Sequence, residues 1–417
     1  MNTVGTSMPR LDAELLVTGR ARYGADLDLP GALWCKVKHS ERAHAKIRSI
    51  DLSAAQALSG VAAVCTAGDF DCNRHGVSVR DEPFLSDDRV RGYYDSVAAV
   101  AAESEEIAQK AAALIRVEYE DLPGVYDPFE AMEEGSCSIH GGSNIAAEVQ
   151  IVNGDVDRAF PQCPHIFEQQ MYTPVNEHAF IEPHAAIAYL DETAGDLVVR
   201  TSVQRPALIA EDLALAIGWP QSRVRVITGS VGGGFGGKNE ITFEHILAVL
   251  AIKTRRPVKM AYTREEEFDC STVRHPYWIK MRSGVLEDGR ILAREVRIVS
   301  DCGPYVGLGK MTLEKGCIHG CGPYRIPNTR VCGKLVYTNN SFGSAMRGFG
   351  VPQLGFAYEV HTDYIARRMG ISPLEFRRIN AIRDGDKLPT GMTLNQVTVE
   401  QAIDRVIRLA REGGDWE

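Results

Sequence analysis

A glycine-rich stretch at residues 232–238, with five glycines around one phenylalanine and a final lysine, constrains this chain more than any other segment. Before it, residues 222–228 alternate polar and apolar side chains, as a half-buried strand does. After it, apolar residues recur at helical spacing from Phe243 to a stop at Pro257. The order of strand, glycine-rich turn and helix predicts a turn that offers backbone N–H groups to an anionic ligand.

Two other interpretations compete with a turn that binds an anionic cofactor. Residues 232–238 fit G-x-x-x-x-G-K, the phosphate loop of nucleotide hydrolases, but Asn239 stands where that loop needs a hydroxyl for magnesium. Alternatively, the glycines only allow a helix and a sheet to pack closely, and the turn binds nothing. The residues alone leave all three interpretations open and favour an anionic cofactor other than a nucleoside triphosphate.

Composition narrows the class of protein. The chain has 417 residues, of which 44% are hydrophobic and 24% charged, as in a globular protein of roughly two or three domains. A formal net charge of -9 without a basic run argues against nucleic acid as a partner. No stretch approaches the roughly 18 consecutive apolar residues of a membrane span. Residues 1–8 are polar and do not resemble a secretion signal, so the predicted compartment is the cytoplasm.

Metal-binding sequence motifs are poorly represented in the chain. The ten cysteines form no C-x-x-C pair, and the eleven histidines form no H-E-x-x-H motif, so zinc and iron–sulfur spacings are absent. Cys317 and Cys321 lie four residues apart and could be half of a metal site, but two reduced thiols are the preferred interpretation. We therefore predict no metal held directly by side chains.

Sequence pattern divides the chain into three parts. Residues 10–125 alternate short strands and helices, which predicts a small α/β or α+β domain. Residues 126–145 mix Pro, Gly, Ser and acidic residues, as linkers do. Residues 146–417 have longer strands and helices, among them a last helix at 399–410, where Thr398 and Gln401 match a capping box.

A second glycine-rich turn, at residues 343–353, contains one arginine, Arg347, and one phenylalanine, Phe349. It lies between a predicted strand at 334–338 and a predicted helix at 354–369. Alone it could be an exposed loop. Two such turns in one chain favour a ligand pocket, because a pocket needs convergent groups.

The pair of turns, with Gln204 and the landmark Glu182-Pro183, resembles the molybdenum hydroxylases of the xanthine dehydrogenase/aldehyde oxidase family. The resemblance runs over nearly the whole chain. It implies a mixed α/β fold, with a small hammerhead-like domain at 10–125 followed by the first half of a molybdopterin-binding domain.

The resemblance also implies a cofactor, molybdopterin with molybdenum, in the cytosine dinucleotide form, and the residues that bind it. Gln204 and Arg347 would steady two sides of the molybdenum centre. The backbone of the first turn would approach it, at Gly233, Gly234, Phe235 and Gly236. Phe235 and Phe349 would sandwich a flat substrate between their rings. Gln204, Phe235, Arg347 and Phe349 are thus the predicted catalytic residues.

Two departures from the family pattern bear on the substrate. Members that hydroxylate xanthine carry Glu where this chain has Asn239, and Arg where it has Lys315. We therefore expect an N-heteroaromatic substrate, nicotinate-like or purine-like, with Lys315 as a point charge for an anionic edge. A purine- or aldehyde-oxidising member remains an alternative. The carbon monoxide branch is disfavoured because residues 344–350 lack a cysteine.

Family subunits continue well beyond the point that corresponds to Glu417 and carry their catalytic glutamate there. The resemblance leaves a split enzyme or a truncation, and it favours the split form, like the large molybdopterin subunit of nicotinate dehydrogenase. The implied partners are a second molybdopterin-domain subunit with the catalytic Glu, an iron–sulfur subunit and an FAD subunit, and water would supply the oxygen. A non-catalytic cofactor scaffold is the alternative of another class.

Overall fold

Strands and helices are intermixed along residues 3–413, the part of the chain that the computed structural model describes. In chain order the strands are β1 (Leu33–His39), β2 (Ala45–Asp51), β3 (Val61–Thr66), β4 (Arg89–Val90), β5 (Ser96–Ala102), β6 (Arg116–Asp121), β7 (Ile145–Asn153), β8 (His165–Thr173), β9 (Ala185–Leu190), β10 (Leu197–Thr201), β11 (Val224–Ile227), β12 (Val258–Ala261), β13 (Val273–Arg274), β14 (Tyr277–Val285), β15 (Ile291–Gly303), β16 (Asn328–Tyr337) and β17 (Gly343–Ser344). The helices are α1 (Ala13–Val17), α2 (Ser53–Gln56), α3 (Glu105–Leu114), α4 (Pro128–Ala131), α5 (Val156–Ala159), α6 (Pro206–Ile217), α7 (Glu244–Thr254), α8 (Arg264–Cys270), α9 (Gly309–Ile318), α10 (Val351–Met369), α11 (Pro373–Asn380) and α12 (Val399–Glu412). The predicted mixed α/β class is confirmed.

The chain forms two compact units, and each is assembled from separate segments. The first unit comprises residues up to 75 together with 80–122 and 177–271. Its main sheet has the strand order β11-β10-β9-β12-β1-β5-β3, and a small sheet has the order β4-β2-β6. In the main sheet, β1 pairs with β12 in parallel, with Leu33 opposite Val258.

The core of the first unit surrounds α7. This helix is apolar over most of its circumference, and its residues 244–251 are all buried, as expected for a helix packed on several sides. Strand β5 lies beside it with six small or β-branched residues buried in a row, which lets helices pack closely on the sheet. Because α7 is fixed in the core, the glycine turn that leads into it is anchored at its helical end.

The second unit comprises residues 76–79, 123–176 and those from 272 onward. Its sheet has the strand order β7-β16-β15-β14-β8. Strands β14 and β15 form the hairpin that the Asp288-Gly289 turn predicted, with Tyr277 opposite Ser300. Helices α9 and α10 pack together in this unit, and their buried faces join one apolar core with the sheet.

Two local expectations met different outcomes. Helix α12 is present, but the side chain of Thr398 makes no capping hydrogen bond, so the capping-box prediction is wrong. The division at 10–125, 126–145 and 146–417 stays a prediction, because the compact units interleave these segments.

Among residues 3–413, none of the helices combines the length and apolar character that crossing a membrane requires.

Candidate functional site

The first glycine turn, residues 232–238, runs between β11 and α7 in the first unit. Its glycines are required by close packing on the inner side. A Cβ on Gly232 would lie 2.5 Å from Cβ of Glu182, and one on Gly234 would lie 2.6 Å from Oε1 of Gln204. A Cβ on Gly237 would lie 2.9 Å from Nδ1 of His178. The close-packing interpretation therefore describes the inner side of this turn.

Lys238, which ends the motif, points into the protein and is fully buried. Its Nζ donates to Oε2 of Glu182 at 2.9 Å, to the backbone oxygen of Glu182 at 2.8 Å and to Oγ of Ser202 at 3.0 Å. It also lies 4.6 Å from the ring centroid of Phe180. Burial lowers the pKa of Lys238, and the hydrogen bond to Glu182 opposes that shift. A phosphate-loop lysine presents its ammonium to the nucleotide, so this geometry argues against a nucleotide hydrolase.

Glu182 connects this buried cation to the backbone of the turn. Its Oε2 accepts from the N–H of Gly232 at 2.6 Å, and its Oε1 accepts from the N–H of Gly24 at 2.9 Å. The N–H of Glu182 in turn donates to the carbonyl of Gly232 at 3.2 Å. The sequence marked Glu182 only as a landmark; the structure makes it the group that fixes the start of the turn.

Gln204 fixes the middle of the turn. Its Oε1 accepts from the N–H of Gly236 at 2.9 Å, and its own N–H donates to the carbonyl of Lys238 at 2.7 Å. Because Oε1 is occupied by this N–H, the amide group is oriented and Nε2 is left as a donor. Gln204 is exposed, so this donor is accessible to a ligand.

The first turn also offers three consecutive backbone donors and one exposed ring. The N–H groups of Gly233, Gly234 and Phe235 meet no hydrogen-bond acceptor among residues 3–413. Phe235 has φ +50°, in the left-handed region that few non-glycine residues adopt, and its side chain is 46% exposed. Successive N–H groups of this kind form an anion-binding concavity. This donor set, with Nε2 of Gln204, fits an anionic, oxygen-rich cofactor.

The second glycine turn, residues 345–350 in the structure, runs between β17 and α10 in the second unit. Phe349 has φ +46°, between Gly348 at +103° and Gly350 at +76°. The ring of Phe349 is half-buried. The second phenylalanine thus has the same uncommon backbone conformation as the first.

Arg274, at the end of β13, holds the second turn, and no sequence motif had singled it out. Its guanidinium donates from Nη2 to the carbonyl of Arg347 at 3.1 Å and from Nη1 to Oε1 of Gln353 at 3.2 Å. Nε also contacts Sδ of Met346 at 3.1 Å. Burial lowers the pKa of Arg274. One planar fork therefore contacts two residues of the turn and one residue at the start of α10.

Arg347 and Lys315 are the exposed cations of the second unit that the sequence predicted for the site. Neither side chain has an acceptor among the described part of the chain, residues 3–413. Lys315 lies on α9, directly before Gly316, whose Cβ position would be 3.5 Å from Cα of Gly350. The second unit thus brings Lys315 close to the backbone of the turn that carries Arg347 and Phe349.

Asn239, the remaining predicted substrate residue, is 9% exposed, far less than Phe235. The predicted residues are divided between the units: Gln204, Gly233, Gly234, Phe235, Gly236 and Asn239 belong to the first, and Lys315, Arg347 and Phe349 to the second. Within the first unit, Gln204 contacts the turn directly through the N–H of Gly236.

Within residues 3–413, no group of three His, Cys, Asp or Glu side chains has the arrangement to hold a metal ion. Cys317 and Cys321 are buried, and burial raises the pKa of the Cys317 thiol to about 12 and that of Cys321 to about 11. Both thiols therefore stay protonated at neutral pH.

Comparison with known sequences decides the family. Residues 139–381 match the molybdopterin cofactor-binding domain, and residues 18–123 match the a/b hammerhead domain of aldehyde oxidase and xanthine dehydrogenase. The chain belongs to the xanthine dehydrogenase/aldehyde oxidase family. The predicted order, a hammerhead domain followed by a molybdopterin-binding domain, is confirmed, as is the prediction of a molybdenum-dependent oxidoreductase.

Relatives within this family differ in length. The chain is 39% identical over 97% of its length to the nicotinate dehydrogenase large molybdopterin subunit of Eubacterium barkeri, and covers 97% of that protein. It is 38% identical over 92% of its length to a probable xanthine dehydrogenase subunit of Bacillus subtilis, but covers only 51% of it.

Solved structures of the family have the same fold. Aldehyde oxidoreductase from Desulfovibrio gigas superimposes with a TM-score of 0.93 at 32% identity, over 98% of this chain and 46% of that one. Quinoline 2-oxidoreductase from Pseudomonas putida 86 gives 0.91 at 30% identity, over 98% of this chain and 54% of that one. The chain thus spans about half the length of these longer relatives.

Proposed function

We propose that this chain is the large molybdopterin-binding subunit of a split molybdenum hydroxylase that hydroxylates an N-heteroaromatic substrate, with water as the oxygen source. One observation carries the proposal: the match to the nicotinate dehydrogenase large molybdopterin subunit covers 97% of both chains. The longer relatives match over nearly the same residues but only half of their own length. The domain assignment at 10–125, 126–145 and 146–417 belongs to this proposal.

The donors of the first turn are proposed to hold the cofactor, molybdopterin in its cytosine dinucleotide form. The free N–H groups of Gly233, Gly234 and Phe235 and Nε2 of Gln204 provide neutral donors, and Arg347 provides a cation. Gly236 contributes by orienting Gln204 through its N–H. When bound, the cofactor supplies the redox chemistry that replaces a C–H bond of the substrate with a C–O bond. The protein supplies orientation and charge.

Phe235 and Phe349 are proposed to orient the substrate between their ring faces. Two ring faces fix the plane of a heteroaromatic ligand without fixing its polar edge. Lys315, which is exposed and unpaired among the described residues, suits the carboxylate of a nicotinate-like acid. Asn239 provides a neutral amide where xanthine-hydroxylating members carry a carboxylate, which disfavours xanthine.

The remaining machinery is proposed to lie on partner chains in the cytoplasm. A second molybdopterin-domain subunit would carry the catalytic glutamate, and iron–sulfur and FAD subunits would carry electrons away. Purification of the chain with these subunits, followed by measurement of bound molybdenum and of dye reduction with nicotinate, xanthine and an aldehyde, tests the proposal. We expect molybdenum and activity with the N-heteroaromatic acid. Bound cofactor without turnover on any substrate would favour the scaffold alternative, and preferential aldehyde or xanthine oxidation would favour the other branches.

Phe235→Ala tests the substrate orientation, and Phe268→Ala is its matched control. Both rings lie in the first unit and are about half exposed, at 46% and 51%. Loss of orientation should lower kcat/KM by roughly 10- to 100-fold for Phe235→Ala, whereas the control should keep the wild-type value. Wild-type turnover in Phe235→Ala would show that the ring does not orient the substrate.

A further inference from the structure

Helix α12 separates its residues sharply into two faces. At 3.6 residues per turn, its apolar residues fall on one side and its charged residues on the other. We define the α12 stripe as the apolar side: Val399, Ala402, Ile403, Val406, Ile407, Leu409 and Ala410. A helix with this pattern normally buries its apolar side against a core.

The stripe is only partly covered within residues 3–413: Ala402, Val406 and Leu409 are exposed, and its other residues are half-buried. No residue of α12 is buried, and Val406 and Leu409 are 64% and 48% exposed. Other helices of the second unit differ: α10, for example, buries Leu354, Ala357 and Ile365. A contiguous exposed apolar row on one helix is typical of a surface that meets another protein.

Exposed ion pairs help to connect α12 to the rest of its unit. Asp404 pairs with Arg378 of α11, and Glu400 accepts from Nη2 of Arg383 at 2.7 Å. These side chains are about half exposed, and exposed ion pairs contribute little to stability. These ion pairs join two charged side chains of α12 to its own unit, and no side chain of the stripe is buried against that unit.

The comparisons indicate which partner covers it. Matches to the longer relatives include 98% of this chain, so α12 lies within the shared half, and those chains carry a further half of their own. We propose that the α12 stripe is the docking surface for the second molybdopterin-domain subunit; this rests on the split enzyme proposed above. Arg405 and Arg411 flank the stripe and have no carboxylate partner among residues 3–413, so the partner surface should be apolar with an acidic rim.

Co-expression with the second molybdopterin-domain polypeptide tests the docking surface. The variants are Val406→Ala/Leu409→Ala, which keep helix propensity, and Val406→Asp/Leu409→Asp, which place charge on the stripe. The control Gln401→Asp/Arg408→Gln makes the same change in net charge on the polar side. We expect Kd to rise about tenfold with the alanines and at least 100-fold with the aspartates. The Kd of the control should stay within about threefold of the wild-type value. All variants should keep the wild-type helical signal in circular dichroism.

Each outcome decides between the docking surface and the split enzyme. If the wild-type chain binds the second polypeptide and the stripe variants bind equally well, the docking surface is wrong and the split enzyme stands. If the wild-type chain does not bind it at all, the split enzyme itself is wrong. Concentration-dependent dimers of the wild-type chain alone, abolished by the aspartates, would identify a second copy as the occupant and overturn the proposed partner.

Discussion

The two glycine turns share a backbone conformation but are held in different ways. Each presents a phenylalanine in the left-handed region, at φ +50° for Phe235 and +46° for Phe349. The first turn is fixed from inside by its own lysine, Lys238, which pairs with the buried carboxylate of Glu182. The second is fixed by Arg274, which lies outside the turn. The same local geometry thus rests on a buried ion pair in one unit and on a hydrogen-bonding fork in the other.

This difference affects how each turn should respond to substitution. Removing one member of a buried ion pair strongly lowers stability, because the other member is left charged and desolvated. The partners of Arg274 are a carbonyl, an amide and a thioether, none of which carries charge, so losing the arginine leaves no buried charge unpaired.

Lys238→Met should have the largest effect. It leaves Glu182 without its cation and should lower the free energy of unfolding by about 3–5 kcal/mol. Urea denaturation of the chain measures this loss. The double variant Lys238→Met/Glu182→Gln removes the unpaired charge and should recover part of it. An equal loss in both variants would show that the pair does not act as a charge pair.

Arg274→Gln should have an intermediate effect, about 1–2 kcal/mol, since hydrogen bonds from a charged donor are lost without stranding a charge. Hydrogen exchange should speed up at residues 346–350 and stay unchanged at 232–239, because the guanidinium of Arg274 contacts Met346 and Arg347 of the second turn. Faster exchange at both turns would show that the two turns are not held independently.

The second turn also adjoins a buried histidine that should make its unit sensitive to acid. Burial first, and the charge of Arg274 second, lower the pKa of His275 from 6.5 to about 4. Between these pH values the unfolded chain binds a proton that the folded chain does not, so stability falls as pH falls, by at most about 1.4 kcal/mol per pH unit for this group. Arg274→Gln raises this pKa, so the loss between pH 5 and 4 should be smaller than in wild type. Urea denaturation across pH 7 to 4 measures both slopes, and parallel slopes would exclude this coupling.

Glycine at the two phenylalanine positions should have the smallest effect on stability. In Phe235→Gly, relief of left-handed strain, about 1 kcal/mol, should offset the greater chain entropy of glycine. The unfolding free energy should then change by less than about 1 kcal/mol. Phe349→Gly should lose more, because that ring is half-buried. Equal losses in parallel denaturation curves would show that the two rings contribute equally to packing.

Local pattern was enough to predict much of the fold. The hairpin of β14 and β15 and the amphipathic helix α10 were predictable because period-two and period-3.6 patterns and an Asp-Gly turn are local signals. Helix α9 was not predicted. Its Gly309 and Gly316 lower helix propensity, and Gly316 is there because α9 approaches the backbone at Gly350. The reason for this glycine is a contact with a residue distant in sequence, which a local sequence pattern cannot reveal.

The candidate site was predictable in its motifs but not in its supports. Five glycines and a lysine are compatible with a phosphate loop, a tight turn or a cofactor cradle, and the choice depends on the direction of the lysine side chain. That direction is set by Glu182, 56 residues away in sequence. Arg274 belongs to no sequence motif. A guanidinium that donates to a carbonyl, an amide and a thioether does not require its partners at a fixed spacing in the sequence.

The left-handed conformation of Phe235 and Phe349 limits how the substrate range of such an enzyme can be re-engineered. Valine, isoleucine and threonine are genuine outliers at positive φ, so trimming either ring to a β-branched residue would perturb the loop that carries it. Libraries at these two codons should instead sample tyrosine, histidine, asparagine and glycine, which alter the side chain while leaving the path of the main chain intact.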